Sequence, residues 1–191
     1  ERCWVGHVNT SPTQSHLLSF CHEGPWHLVD HRIWMLDLNT RNVWKVRERE
    51  VDDERIGHEY WHRDGIHIGY HGNAPGRGNT LGAIRYDNTE RVEAEFPHAV
   101  HHIQSNDMNL IVSDGDHTLK LYRFDGARFE PPRVLCEHWC SPHVQNCHVH
   151  PTFSPAGGHV VFTTNCSGYG NVYRVEVPED LSTLPLKEAS A

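Results

Sequence analysis

Residues 143 to 150, HVQNCHVH, hold three histidines and a glutamine in eight positions, and the chain then turns into PTFSP. Imidazole nitrogens and an amide oxygen are ligands for divalent transition metals, and histidine is the commonest of them. His148 and His150 stand two apart, so on an extended backbone both side chains leave from one face. Gln145 lies three residues earlier, where a curved approach brings its amide oxygen to the same point. Three neutral imidazoles and one amide oxygen would leave an ion its full positive charge, with open positions for water or substrate. The spacing leaves a second arrangement open, in which these histidines fill a polar channel and bond to one another and to water. The chain holds 18 histidines among 191 residues, an excess that favours metal or acid–base work without locating it.

Such a cluster needs elements that hold it, and the chain aligned on itself supplies them. A unit recurs, starting GHVNTSP at Gly6, GHEYWHRDG at Gly57, HHIQSND at His101 and HVHPTFSPAGG at His148, which aligns His7, His58, His102 and His150. The period of roughly 45 residues is that of propeller blades. Each start leads through a turn to an apolar strand: HLLSFCHE, IHIGYHG, NLIVSDG and HVVFTTN. A further strand follows: RIWMLDLNT, TLGAIRYDNT, LKLYRFDG and NVYRVEVPE. Alternation and β-branching mark these as sheet, with Asp-Gly, Asn-Thr and Ser-Pro as turns and nothing of helical period. The expected class is all-β, a β-propeller with about four blades at 6–50, 57–96, 101–137 and 146–178, in one partial propeller domain over 1–191. The charged run REREVDDER (47–55) is expected as a solvated connection.

Each blade's first strand lines the central channel of a propeller, so His58, His102 and His150 are expected to point toward one axis despite their separation in sequence. The composition narrows the partners. A net charge of −8, with 17 scattered Lys and Arg, disfavours nucleic acid. No apolar run approaches a membrane span, and no leader is visible before ERCWVGHVNT. Six cysteines are too few for a disulfide scaffold, and the spacing of Cys136, Cys140 and Cys147 lacks paired C-x2-C knuckles. A reducing, cytoplasmic location is expected.

The segments SFCHEGPWHLVDHRIW (19–34), GHEYWHRDGIHIGY (57–70), HHIQSNDMNLIVSDG (101–115) and EHWCSPHVQNCHVHPTFSP (137–155) span nearly the whole chain, with a Q-x2-H-x-H-P run and an upstream H-x2-S-N. In these residues the chain resembles the oligogalacturonate lyases, seven-bladed propeller enzymes of pectin breakdown. The resemblance implies the metal ligands His102, Gln145, His148 and His150, with manganese as the ion, although ligand chemistry alone also admits zinc, iron or nickel. It implies β-elimination of short oligogalacturonides to unsaturated uronates. His58, in GHEYW, would be the base for the C5 proton, and Arg32, in DHRIW, would engage the substrate carboxylate. His22, in CHEGPW, would contact substrate.

Glu23 and Glu59 are expected as acceptors orienting neighbouring imidazoles. By their residue types alone, His58 also suits a channel histidine, and Arg32 a strand residue paired with Asp30 or Asp37. Seven blades against four implies that the rest come from further chain or from association of copies. Two other functions fit the residues: a non-catalytic, TolB-like propeller binding module, and a metal-dependent hydrolase or isomerase of another sugar acid.

Overall fold

The computed structural model describes residues 4–26, 28, 29, 31–96, 101–141 and 143–187. They form a β-propeller fold of four antiparallel sheets, each a meander in which consecutive strands are neighbours. The chain divides into two compact units, Glu1–Pro97 and His98–Ala191, with two sheets in each.

In the first unit one sheet runs β1 (Trp4–Thr10), β2 (Leu17–Glu23), β3 (Ile33–Asp37) and β4 (Val43–Lys45). The next runs β5 (Arg55–Trp61), β6 (His67–Ala74), β7 (Gly78–Arg85) and β8 (Val92–Glu95). The second unit has β9 (Ile103–Ser105), β10 (Leu110–Ser113), β11 (Thr118–Arg123) and β12 (Arg133–Glu137), then β13 (Thr152–Phe153), β14 (His159–Thr164) and β15 (Asn171–Glu176). Every apolar run read as a strand is one. Among the described residues helical structure is limited to two 3-10 turns, Gln145–Cys147 and Leu181–Thr183, and no helix is long and apolar enough to cross a membrane.

Period-two alternation builds a separate core in each unit. On β2, Leu17, Ser19 and Cys21 are buried while their neighbours are half-exposed. Leu17, Ile33, Met35, Val46, Ile68 and Tyr70 pack together in the first unit, and Val112, Leu119, Leu121, Val149, Phe153 and Val160 in the second. Each such aliphatic side chain contributes about 1.5–3 kcal/mol by leaving water. Cys140 and Cys147 belong to the second core, where they pack as small hydrophobes.

Most of the 47–55 run is exposed, as its charges suggest, but Arg47 and Glu54 within it are buried. Arg47 is 2% exposed, and its guanidinium bonds Glu54 at 2.8 Å and Glu93 at 2.5 Å. Glu93 also accepts from the Tyr70 hydroxyl at 2.6 Å. The run folds back over β8, where a carboxylate 46 residues away in sequence meets the arginine; local charge density carries no sign of that.

Candidate active site

His102 directly precedes β9, and His148 and His150 sit between the 3-10 turn and β13. Side-chain alternation continues through this segment: Cys147 and Val149 are buried in the core, which turns His148 and His150 to the other side. The segment is pinned from both flanks. The Thr163 N–H donates to the Val149 carbonyl at 2.9 Å, and the Phe153 N–H donates to the buried Gln104 amide oxygen at 2.8 Å. Asn106 donates to the Ser154 carbonyl at 2.9 Å. Gln104 and Asn106 thus tie the start of one sheet to the start of the next and bring His102 against His150, with ring centroids 3.9 Å apart. The His102 and His148 rings are 5.3 Å apart.

His102, His148 and His150 each offer one nitrogen, and these lie within 4.8 Å of one another. Bonds of about 2.1 Å to one divalent ion would set any two of them no more than about 4.2 Å apart, so a small inward movement of the rings would let them share an ion. Behind His102, the buried Asp114 accepts from the His102 N–H at 2.5 Å and from Nδ1 at 2.7 Å. The carboxylate only accepts, so Nδ1 carries the hydrogen and Nε2 keeps the lone pair for an ion. Burial would raise the Asp114 pKa, and the bonds from His102 outweigh it and hold it low. His150 has φ 41°, a left-handed backbone that costs a non-glycine residue about 1–3 kcal/mol and is typical of functional positions. The Gln145 backbone forms the 3-10 turn just ahead of His148; its side chain lies outside the described part.

The first unit holds the other expected residues. His7 and His58 both follow a glycine at a register shift, between Gly6 and Asn9 on β1 and between Gly57 and Tyr60 on β5, and both have positive φ (48° and 51°). In each bulge the glycine leaves room for a charged group. A Cβ on Gly6 would stand 2.6 Å from the Glu23 carboxylate, and one on Gly57 would stand 3.2 Å from Arg32 Nε. The His58 ring lies 6.1 Å from His71.

Arg32 is not an exposed strand residue. Its side chain is 13% exposed, stands just before β3, and donates through Nε to Glu59 at 3.1 Å. Asp30, one alternative partner, lies outside the described residues, and the Asp37 carboxylate accepts from the N–H groups of its own turn.

Glu59 is fully buried and accepts from three sides: Arg32, His7 Nδ1 at 3.3 Å, and the Cys21 thiol. Burial opposes its ionisation, but the bond from His7 and the Arg32 charge prevail and bring its pKa down to about 2. The bond to Glu59 raises the His7 pKa, and His7 Nε2 lies 3.3 Å from Glu23. Burial and the Glu59 charge push the Cys21 thiol up. Glu23 and Glu59 therefore both meet one imidazole, that of His7. The alignment of the four repeat histidines singles out His7, and the sheet register then selects it, because Cys21 pairs with Gly6. His7, Cys21 and Glu23 also form a compact ligand group, within which His7 already pairs with Glu23. His22 sits on β2 opposite Val5, half-exposed. Of the histidines expected to converge, His102 and His150 meet within the second unit, while His58 belongs to the first.

Comparison with known proteins bears on these residues. A family model described as oligogalacturonate lyase matches residues 1–130, which include His22, Arg32, His58 and His102. The oligogalacturonate lyase of Dickeya dadantii (strain 3937) is 28% identical over 208 residues, covering 95% of this chain and 52% of that protein. A solved oligogalacturonate lyase in complex with manganese is similar at a TM-score of 0.78 and 27% identity, over 94% of this chain and 50% of that one. A TolB from Acinetobacter baumannii has a TM-score of 0.59 at 12% identity, over 91% of this chain and 41% of that one, a likeness of fold alone. The chain spans about half the length of the curated relatives it matches. With the family model matched from residue 1 to 130 of 191, across both repeats of the first unit and into the second, this chain belongs to the oligogalacturonate lyase family.

Proposed function

We propose that this chain carries the metal-binding and proton-abstracting residues of a lyase that cleaves short oligogalacturonides by β-elimination. The observation that carries this is the convergence of one nitrogen each from His102, His148 and His150 within 4.8 Å, with Asp114 fixing the first ring. Those three residues, with the Gln145 amide, would hold Mn2+ or another divalent transition ion. A bound dication there supplies positive charge to the uronate carboxylate as C5 loses its proton.

His58 takes that proton. The electron pair then forms the C4–C5 double bond, and the glycosidic oxygen leaves from C4. His58 stands on a bulge with φ 51°, a backbone conformation that clusters at functional positions, which supports it for this role. Arg32 holds a substrate carboxylate. Its Nε is committed to Glu59, which fixes the plane of the guanidinium and leaves the far edge to the bidentate geometry that carboxylates favour. His22 makes a further substrate contact. Additional blades, from further chain or a second copy, complete the propeller, and the protein works in a reducing, cytoplasmic setting.

With Mn2+ and oligogalacturonide, ultraviolet absorbance from the new double bond is expected. His58→Ala should lower that rate by at least about a hundredfold, the lower range of a lost general base, with the Mn2+ stoichiometry unchanged. Shorter saccharides formed without the chromophore would show hydrolysis instead and overturn the lyase assignment.

A further inference from the structure

The chain carries a net charge of −8, so an anionic ligand has to be met by a local gathering of positive charge. The first unit holds one around Trp26, in the connection between β2 and β3. The Cζ atoms of Arg32 and Arg55 lie 5.6 and 5.9 Å from the centroid of the Trp26 ring, within the reach of cation–π attraction. Arg49 adds a third guanidinium, which donates to the Trp26 carbonyl at 3.4 Å. The indole is 38% exposed and Arg55 is exposed too, so a ligand can reach both.

Strand alternation brings these groups together. Ile56 is buried in the core of the first unit, which turns Arg55 and Gly57 to the opposite side of β5. The side chain that Gly57 lacks leaves the room Arg32 occupies, so Arg32 and Arg55 share that side. Like charges gathered this way repel, and other arginines of the unit are met by carboxylates: Arg47 by Glu54, and both Arg77 and Arg91 by Glu50. Arg49 and Arg55 have no carboxylate partner among the described residues. Arg32 has one, Glu59, at its Nε alone. A guanidinium held through its charge by a ring keeps its N–H groups for hydrogen bonds, and their fork matches a carboxylate. Two such forks on one indole, with a third cation behind them, fit a ligand that carries carboxylates on neighbouring units.

We propose that Arg55 is a specificity-determining residue that binds the carboxylate of the uronate unit next to the one held by Arg32, with Trp26 positioning the two guanidiniums and Arg49 adding charge. The assignment rests on the chain acting on oligogalacturonides. It makes the first unit a reader of consecutive acids, selecting a polyuronate over a saccharide with neutral or singly charged units.

The full chain, loaded with Mn2+ and carrying His58→Ala so that the saccharide stays whole, is titrated by calorimetry with trigalacturonate and with its neutral methyl ester. The same titrations are run with Arg55→Gln, Trp26→Ala or Trp26→Tyr added. The background should bind the acid more tightly than the ester. Arg55→Gln should weaken acid binding about tenfold, the worth of one charge-assisted contact, and leave ester binding and Mn2+ affinity as they were. Trp26→Ala should narrow the preference for the acid and Trp26→Tyr should keep it, because a phenol ring still holds the guanidiniums. A background that binds neither ligand, an Arg55→Gln or Trp26→Ala variant with the full preference for the acid, or an Arg55→Gln variant that loses both ligands equally overturns the subsite. With His58 restored, unsaturated product formed at an unchanged KM in Arg55→Gln removes the subsite and leaves the lyase. A preference for the acid lost in Arg55→Gln, with no unsaturated product from the unsubstituted chain, removes the lyase and leaves the subsite.

Discussion

Both units place a repeat histidine beside a buried carboxylate, but they balance that charge differently. In the first, Glu59 is met by Arg32, His7 and the Cys21 thiol, all supplied by the same unit. In the second, Asp114 accepts from the backbone and the ring of His102, and that ring joins two further imidazoles. One site is a closed ion-pair network with its cation built in. The other gathers three imidazoles in front of one negative charge, an arrangement that, on the function proposed above, an external dication would complete. The same position in a repeat can thus yield a site that needs nothing further or one that calls for a ligand, and the neighbouring strand decides which.

If the first site is closed, removing its anion should be the most damaging change. Glu59→Gln leaves the Arg32 guanidinium, 13% exposed, without its counter-charge. It should lower stability in urea denaturation by about 3 kcal/mol, with Mn2+ affinity untouched. A loss of Mn2+ affinity in that variant would break the distinction between the two sites. His102→Ala should do the opposite, weakening Mn2+ binding by about a hundredfold or more while the stability of metal-free protein changes little, as calorimetry and denaturation would show. Asp114→Asn is a smaller perturbation of the same site. An amide cannot hold the Nδ1 hydrogen as a carboxylate does, so Mn2+ affinity should fall by about tenfold.

Acid sharpens the comparison least but most cheaply. The folded pKa of Glu59, about 2, lies below its ordinary 4.5. Its contribution is therefore complete above about pH 4.5 and is lost as pH falls toward 2. Glu59→Gln should flatten the acid limb of a stability profile for that reason, whereas His58→Ala should leave it unchanged.

The strands were legible because side-chain alternation is local: LLSFCHE and HIGYHGNA declare their buried faces within seven or eight residues. The turns were legible for the same reason. The His148 and His150 pair was readable too, since a two-residue step on extended chain has only one geometric outcome. Arg32 was expected to engage substrate, but its partner Glu59 was not foreseen, and neither was the burial of Arg47 within a mostly exposed charged run. Arg32 and Glu59 are 27 residues apart, and Arg47 and Glu93 are 46 apart, so no local pattern links them.

By itself the sequence determined the repeat, the all-β class and the positions at which each unit offers histidines, because those follow from spacing along one strand. Only the tertiary structure decided what each histidine meets. The sheet register set Cys21 across from Gly6 and Ser113 across from Ile103, bringing Asp114 to His102, while the packing of one sheet on the next gave Glu59 to His7 and Arg32. Charge and hydrogen-bond partners are chosen across strands, at distances fixed by packing and not by order along the chain, and those partners separate an ion-pair network from a cluster of three imidazoles.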